Sequence, residues 1–310
     1  MLTFHSNYDL TGYKLLFEPK FYNTFKCILH QRYDPFISFY ILDEVAKEVF
    51  CMIHFTLVGE FAFSLPKSPF GGFEFHTSVD NRTLIKFTHF VEYELKKFNV
   101  RKVKIIEAPG IYRDEGASDL MNVLSSHGFK LTFSDVNHFV SLDEINAIKQ
   151  LHSMERRHFR KTLSKNYKWK LESIDALPEV SSFIERCREQ QHLKVNISYG
   201  DINSAFKEFP GKYRIMSVRH HGYLTAVTIT VEVNRNILYN YLPASDKRFN
   251  HDSPMVFLMV NLYKYAKSLN YQILDLGVSS IDGKIQYSLA EFKERMGAHY
   301  CDKNVFEKKN

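Results

Sequence analysis

Basic side chains cluster in one short segment, Met154–Lys161, whose sequence is typical of a helix. Arg156 and Arg160 are four residues apart, and Arg157 and Lys161 repeat that spacing. Side chains four apart are neighbours on a helix surface, where each pair of like charges costs about 0.2–0.5 kcal/mol. A guanidinium group can bind a phosphate through two parallel hydrogen bonds, which would relieve that repulsion. The segment predicts a phosphate site, with a solvated helix face as the alternative.

A second candidate anion site is the polar loop Ser245–Ser253, which leads into a long apolar helix. Ser253 followed by Pro254 predicts the start of that helix, with serine as its N-cap. The first turn of a helix presents free N–H groups and a positive dipole end, and both attract phosphate. We therefore assign Lys247, Asn250 and Ser253 to cofactor binding, with an ordinary connection between strand and helix as the alternative.

A third set of candidate residues lies near the C-terminus. Gly277 directly follows the predicted buried strand 273–276, where a residue without a Cβ permits an unusual backbone path or a close ligand approach. Tyr287 and Lys293 flank the start of the last predicted helix, from which each could reach a cleft beside that strand end. We predict catalytic roles for Tyr287 and Lys293 and a cofactor contact at Gly277.

Several familiar catalytic patterns do not occur in the sequence. It contains no HExxH motif, and it contains neither GxGxxG nor GxxxxGK[ST], so hydride transfer and ATP hydrolysis are not supported. The four cysteines are far apart and show no CxxC spacing, so we expect neither a metal site nor a disulfide framework. The N-terminus does not resemble a signal peptide, and no apolar run reaches the roughly 20 residues of a membrane-spanning helix. We expect a cytoplasmic protein.

Charge is divided unevenly along the 310 residues, whose net charge is +6. Residues 1–148 hold 15 Lys or Arg against 18 Asp or Glu, whereas residues 149–310 hold 26 against 17. A basic half beside an acidic half indicates an anionic partner for the second half, such as a nucleotide cofactor, a nucleotide-linked substrate or RNA. A solvated basic surface is the alternative interpretation.

The predicted elements follow one order twice: antiparallel strands, a loop, a long helix, a strand, a short helix and a strand. In the first half these are strands 36–42, 49–58 and 60–65, loop 66–72, helix 80–98, strand 103–106, helix 118–127 and strand 132–140. In the second half they are strands 213–218, 223–233 and 237–242, loop 245–253, a helix from Pro254, strand 273–276, a helix opened by the capping box Ser288–Glu291, and a strand near 300–306.

Two further helices, Leu151–Lys165 and Leu177–Glu189, are predicted between the repeats. The length exceeds what one hydrophobic core usually supports, roughly 250–300 residues. We therefore predict an α+β (mixed α/β) protein with two domains, 1–148 and 149–310. Each domain is expected to hold a mixed, mostly antiparallel sheet flanked by helices.

The motifs in this arrangement resemble those of the FemAB-like branch of the GNAT superfamily. The resemblance spans nearly the whole chain and is most specific within residues 239–297. It is carried by these segments: Tyr239–Ser245, Asn250, Ser253-Pro254, Asp275–Gly277, Phe292–Gly297 and the basic run Arg156–Lys161. Members have tandem GNAT domains and include the aminoacyl-transferases that build peptidoglycan cross-bridges. The resemblance thus implies two GNAT-like domains in this chain.

The resemblance implies transfer of an acyl or aminoacyl group to an amine, which attacks a thioester or ester carbonyl without a covalent enzyme intermediate. It implies that Lys293 stabilises charge near the acyl carbonyl. It implies that Arg156, Arg157 and Arg160 bind phosphate. The residues that it implies for the substrate side are Ser68, Phe70, Gly71, Gly72 and Tyr241. Acyl-CoA and aminoacyl-tRNA are the implied donors, and the acceptor is a small-molecule or nucleotide-linked substrate.

The sequence departs from the resemblance in two places. Residues 245–253 contain no glycine, although GNAT enzymes hold the CoA pyrophosphate with a glycine-containing loop. Residues 171–193 show no long heptad run, such as the helical arm that some cross-bridge enzymes use for tRNA. Three functions stay open: a FemAB-like acyl or aminoacyl transferase, a CoA-dependent N-acetyltransferase with an atypical phosphate loop, and a non-catalytic binding protein. The oligomeric state is not indicated.

Overall fold

The computed structural model describes residues 1–31, 35–113, 119–142, 147–191 and 197–309, and it divides into two compact units. Unit 1 comprises Met1–Val136, Ser280–Ile285 and Cys301–Asn310, and unit 2 comprises Asn137–Ser279 and Gln286–Tyr300. The domain boundary predicted from the sequence lies at 148 rather than after 136. The C-terminal residues from 301 onward belong to unit 1 because Val305–Lys309 pair with a strand of that unit.

The elements up to residue 141 are eight strands and three helices among the described residues. The strands are β1 (Leu2–Ser6), β2 (Lys14–Leu15), β3 (Phe36–Asp43), β4 (Glu48–Val58), β5 (Phe61–Phe63), β6 (Glu74–Phe75), β7 (Lys102–Ile106) and β8 (Lys130–Ser141). The helices are α1 (Phe25–His30), α2 (Asn81–Lys97) and α3 (Leu120–Ser126).

The remaining described elements are nine strands and six helices. The strands are β9 (Lys168–Glu172), β10 (Tyr213–His220), β11 (Tyr223–Asn234), β12 (Ile237–Asn240), β13 (Ala244–Ser245), β14 (Ile273–Val278), β15 (Ser280–Ile281), β16 (Lys284–Ile285) and β17 (His299–Lys309). The helices are α4 (Ala147–Gln150), α5 (Ser153–Ser164), α6 (Leu177–Glu189), α7 (Tyr199–Glu208), α8 (Pro254–Ser268) and α9 (Tyr287–Arg295).

Unit 1 is built on a sheet with the strand order β1–β3–β4–β5–β7–β17. All neighbouring pairs are antiparallel except β5 and β7. Helix α2 buries Leu84, Phe87, Val91 and Leu95, the apolar stripe expected from their helical spacing. Its first turn is capped by Asp80, whose carboxylate accepts from the Thr83 N–H at 2.7 Å.

The strands of unit 2 follow the order β9–β10–β11–β12–β14–β8, in which β8 contributes residues 137–141. Only β12 and β14 are parallel; the other neighbours are antiparallel. Helix α8 is mostly apolar and packs in the main core of the unit, where Phe257 stacks on Phe159 of α5 at 5.6 Å. The fold of unit 2 therefore presents one parallel strand pair, whose ends form the candidate site below.

The predicted elements differ from the observed ones at several ends. The capping box at Ser288–Glu291 is wrong, because α9 begins at Tyr287 and the backbone carbonyl of Gln286 accepts from Ala290 N at 3.0 Å. Ser288 therefore lies inside the helix. Helix α7 was not predicted, and the predicted helix 118–127 begins in residues outside the described part of the chain. Among the described helices, none is long and apolar enough to cross a bilayer.

Candidate functional site

The basic side chains of α5 differ in whether they form hydrogen bonds within the protein. The Nη1 of Arg156 donates to the backbone oxygen of Leu151 at 2.8 Å and to that of Lys149 at 3.3 Å, so this guanidinium caps carbonyls at the C-terminal end of α4. Arg157 and Arg160 are exposed, and neither forms a hydrogen bond or ion pair with the described residues. Of the three arginines of α5 that were predicted to bind phosphate, only Arg157 and Arg160 therefore have guanidinium groups without a partner among the described residues, and these two can still bind an anion.

The loop before α8 forms a 3-10 helix, Lys247–Asp252, rather than an open phosphate cradle. The Lys247 Nζ donates to the Gln190 carbonyl at 2.6 Å, and the exposed Asn250 accepts from the Ser253 backbone N–H at 3.1 Å. Ser253 does precede α8, but its side chain makes no cap hydrogen bond and its φ is +55°. The predicted helix start, with Ser253 at the N-cap and Pro254 in the first turn, is therefore confirmed, but the serine side chain does not close that turn.

Asp252, the last residue of this 3-10 helix, ties the loop to α5. Its carboxylate contacts the Lys165 Nζ at 2.5 Å and the Tyr167 hydroxyl at 3.0 Å, and Lys161 lies 3.3 Å away. Burial by itself raises the pKa of Asp252, but the hydrogen bonds from Lys165, Tyr167 and Lys161 outweigh that effect and bring it to about 2. The ammonium of Lys161 is thus paired with Asp252 and is not free to bind a ligand.

The parallel strands β12 and β14 stay in register only as far as Tyr239 and Asp275. Two residues later, Gly277 has a φ of +77°, and a β-bulge interrupts the pairing of β14 with β8 at this point. A Cβ at this position would lie 3.3 Å from Cε2 of Tyr239. The strand end therefore requires glycine both for its backbone conformation and for the approach of the tyrosine ring.

Lys293 lies at this strand end with only 7% of its surface exposed. Its ammonium donates to the Gly277 carbonyl at 2.8 Å and to the Val278 carbonyl at 2.9 Å. Burial lowers the pKa of Lys293 to about 8, although the carboxylate of Asp275 acts in the opposite direction. An ammonium has three N–H donors, so one remains without a partner among the described residues.

Buried polar side chains surround Lys293. Asp275 accepts from the Asn137 side-chain amide at 2.8 Å and from the Gly277 N–H at 2.7 Å. His138 is fully buried, and its Nδ1 lies 2.9 Å from the Ser279 hydroxyl. Its Nε2 has no hydrogen-bond partner among the described residues. The elements that assemble this network are β8, β14 and α9.

The protonation of His138 follows from its surroundings. Burial and the positive charge of Lys293 lower its pKa, while Glu294, with Oε1 3.8 Å from Nε2, acts against them. The imidazole is therefore neutral near pH 7. His138 and Asn137 were not among the predicted site residues, because their partners lie about 140 residues away in sequence. No local pattern marks either of them.

The tyrosines of the predicted site have different environments. Tyr287 is 78% exposed and makes no hydrogen bond with the described residues, so the structure does not join it to the Lys293 network. Tyr241 follows β12, its ring centroid lies 5.6 Å from that of Tyr239 with the two rings tilted, and burial raises its pKa to about 12. Both assignments stay predictions.

The predicted substrate loop of unit 1 is closely packed. The Ser68 hydroxyl donates to the Gln31 side chain at 3.1 Å, and Phe70 is buried in edge-to-face contact with aromatic neighbours. A Cβ on Gly71 would lie 2.7 Å from the Ser64 carbonyl oxygen, and Gly72 has a φ of +131°. These contacts explain the residue types as packing requirements, so the substrate-binding role of the loop also stays a prediction.

Comparison with known proteins gives the fold. Residues 154–293 match the model of an acetyltransferase (GNAT) domain. No curated protein sequence matches the chain significantly. The matched segment contains the basic run Met154–Lys161 and ends at Lys293, so it covers Asp275, Gly277 and Lys293 but not Asn137, His138 or Glu294.

Solved structures with a similar fold cover most of the chain at low sequence identity. FemX matches with a TM-score of 0.66 and 13% identity, over 88% of this chain and 87% of its own. L-PGS from Bacillus licheniformis matches with a TM-score of 0.56 and 13% identity, over 84% and 82%. A tandem GNAT protein from the clavulanic acid biosynthesis pathway matches with a TM-score of 0.51 and 9% identity, over 88% and 82%.

Proposed function

We propose that this chain, which has the FemAB-like tandem GNAT fold, transfers an acyl or aminoacyl group to an amine at the site around Lys293. One observation carries the proposal. Lys293 is buried at the end of the parallel strand pair, and it has one N–H that no described residue uses. A preorganised donor of this kind stabilises the negative charge that develops on a carbonyl oxygen.

Besides charge stabilisation, acyl transfer needs a group that accepts a proton from the amine and a group that gives a proton to the leaving group. The amine nitrogen forms a bond to the acyl carbon, the bond from that carbon to the donor sulfur or oxygen breaks, and the amine loses a proton. A neutral imidazole is a suitable proton acceptor, so we assign that step to His138. The leaving group requires a proton in return, and the exposed hydroxyl of Tyr287 stays our candidate for that transfer.

We further propose that the donor carries phosphate and contacts Arg157 and Arg160. Their exposure and lack of partners among the described residues support this assignment. Acyl-CoA and aminoacyl-tRNA both contain phosphate and an activated carbonyl. The match to an acetyltransferase (GNAT) domain and the FemAB-like resemblance of the sequence are the reasons to include both kinds of donor in one assay.

A second candidate function, non-catalytic binding, is favoured by one set of contacts. Arg156 and Lys161 of α5 and Lys247 of the loop all donate to backbone carbonyls of the protein itself, so these cations of the two predicted phosphate sites are engaged in internal interactions. A protein that had lost its donor site would show this arrangement as well. The two functions differ in whether a bound donor reacts.

The test uses the full chain with two donor sets, a series of acyl-CoA thioesters and a labelled mixture of aminoacyl-tRNAs. Amino sugars, free amino acids and UDP-linked peptides serve as acceptors, and mass spectrometry detects the amide product. We expect transfer from one donor class. If a donor binds, as judged by thermal stabilisation, but its acyl group reaches no amine, the catalytic proposal fails and the binding function is supported.

A further inference from the structure

Two histidines and a glutamate converge on helices α2 and α3 of unit 1. His89 and Glu92 are three residues apart on α2, which places them on one face of that helix. His127 follows the last turn of α3. One imidazole nitrogen from each histidine and one carboxylate oxygen all lie within 4.8 Å of one another. Among the described residues, this is the one such group of three possible metal ligands.

The spacing of two of these atoms suits a tetrahedral ion. The Nδ1 of His127 lies 3.5 Å from the Oε2 of Glu92. Bonds of about 2.0–2.2 Å from a zinc ion place two of its tetrahedral ligand atoms roughly 3.4 Å apart. His89 is exposed and its ring centroid lies 6.3 Å from that of His127, so a side-chain rotation can complete the site.

A fourth residue orients the carboxylate. The ammonium of Lys308, on β17, donates to the Oε1 of Glu92 and lies 5.6 Å from the ring centroid of Phe129. The carboxylate is therefore held through one oxygen, and the other faces His127. Contacts of this kind orient metal ligands in known sites. Without a metal, the same residues would form a polar network between Glu92, Lys308 and His127.

We propose that His89, Glu92 and His127 bind one divalent transition-metal ion that links α2 to α3. Two imidazoles with one carboxylate favour zinc, cobalt, nickel or copper over magnesium and calcium, which prefer oxygen ligands. Three protein ligands leave a fourth position for water. The proposal is independent of acyl transfer, and it differs from the expectation of no metal site that the cysteine and histidine spacing gave.

The test uses the full chain freed of metal with a chelator, and Zn²⁺ and Co²⁺ alone as probes. We expect one equivalent of each ion to bind, with the visible absorption of tetrahedral Co²⁺. His89→Ala, His127→Ala and Glu92→Gln should each weaken binding at least about tenfold, because each removes one of three ligands. His5→Ala is the matched control: His5 forms a pair with Glu44 at 3.0 Å that has no third ligand among the described residues.

Loss of binding in the three site variants, with binding retained in His5→Ala, would establish the site. Circular dichroism of each metal-free variant separates ligand loss from misfolding. The proposal is overturned if the wild-type chain binds neither ion, or if binding persists unchanged in His89→Ala and His127→Ala. The polar network alone then accounts for these residues.

Discussion

The ammonium of Lys293 donates to the carbonyl of Gly277 at 2.8 Å, so a side chain of α9 fixes the backbone where β14 loses register with its parallel neighbour. This hydrogen bond therefore fixes α9 relative to the end of β14. Lys293 costs stability through its own burial, and its two carbonyl partners would lose their donor if it were removed. The predictions below separate these effects from catalysis.

The first prediction concerns stability and pH. Lys293 has a folded pKa of about 8 against 10.5 as its ordinary value, so the unfolded chain binds more protons between those limits. Its contribution to the free energy of unfolding should therefore rise as pH increases from about 8 to about 10.5, by on the order of 3 kcal/mol. Urea unfolding of the wild-type chain and of Lys293→Met over that range measures the difference.

Because other groups titrate in the same range, the quantity to compare is the difference between the two proteins. Lys284→Met serves as the control, since Lys284 is exposed on β16. A difference between wild type and Lys293→Met that stays constant from pH 7 to pH 10.5 would mean that Lys293 is not held in a desolvated state.

The second prediction concerns Gly277. Gly277→Ala should destabilise the protein by more than about 1 kcal/mol, because alanine is strained at positive φ and its Cβ would also press on the Tyr239 ring. Gly222→Ala is the matched control, since Gly222 has a φ of +82° and a Cβ added there would meet nothing within 4 Å. Equal losses of stability in the two variants would show that the tyrosine contact has no effect.

The third prediction separates the arginines of α5. Replacing both Arg157 and Arg160 with alanine should weaken binding of a phosphate-bearing donor at least about tenfold and leave the melting temperature unchanged, because both side chains are exposed. Arg156→Ala should lower the melting temperature instead, since it removes hydrogen bonds to two carbonyls. Titration with the donor and thermal unfolding of each variant measure both effects.

The reverse pattern would contradict this division of roles. If Arg156→Ala weakens donor binding without a change in melting temperature, then Arg156 contacts the donor and its internal hydrogen bonds are dispensable. Salt dependence gives a second readout, because loss of a phosphate contact reduces the sensitivity of the binding constant to ionic strength.

Much of the fold could be predicted from the sequence because its signals are local. Helix α6 occupies Leu177–Glu189 as predicted from its apolar spacing, and α8 begins at Pro254. Ser253 is the N-cap as predicted, but the absence of a side-chain cap bond could not be predicted, because the residue adopts a positive φ that serine rarely takes. Residue types predict where a helix begins more reliably than how its first turn is closed.

The site was predictable only in part. The resemblance selected Lys293, but its burial depends on carbonyls of β14 that the sequence does not bring near it. Arg156 was predicted to bind phosphate, and its use as a cap rests on carbonyls only a few residues away. His138 was missed because Ser279, its partner, lies 141 residues further along the chain. Long-range pairing decides the roles of Lys293 and His138, and helical periodicity does not report it.

The central claim is tested most directly by single-turnover transfer with Lys293→Met, once a donor and an acceptor amine have been found. At pH 7, we predict a rate about 10²- to 10³-fold below that of the wild type, with donor affinity retained and Lys284→Met unaffected. This magnitude corresponds to the loss of one donor to the developing oxyanion. Wild-type transfer rates in a folded Lys293→Met variant would contradict the account.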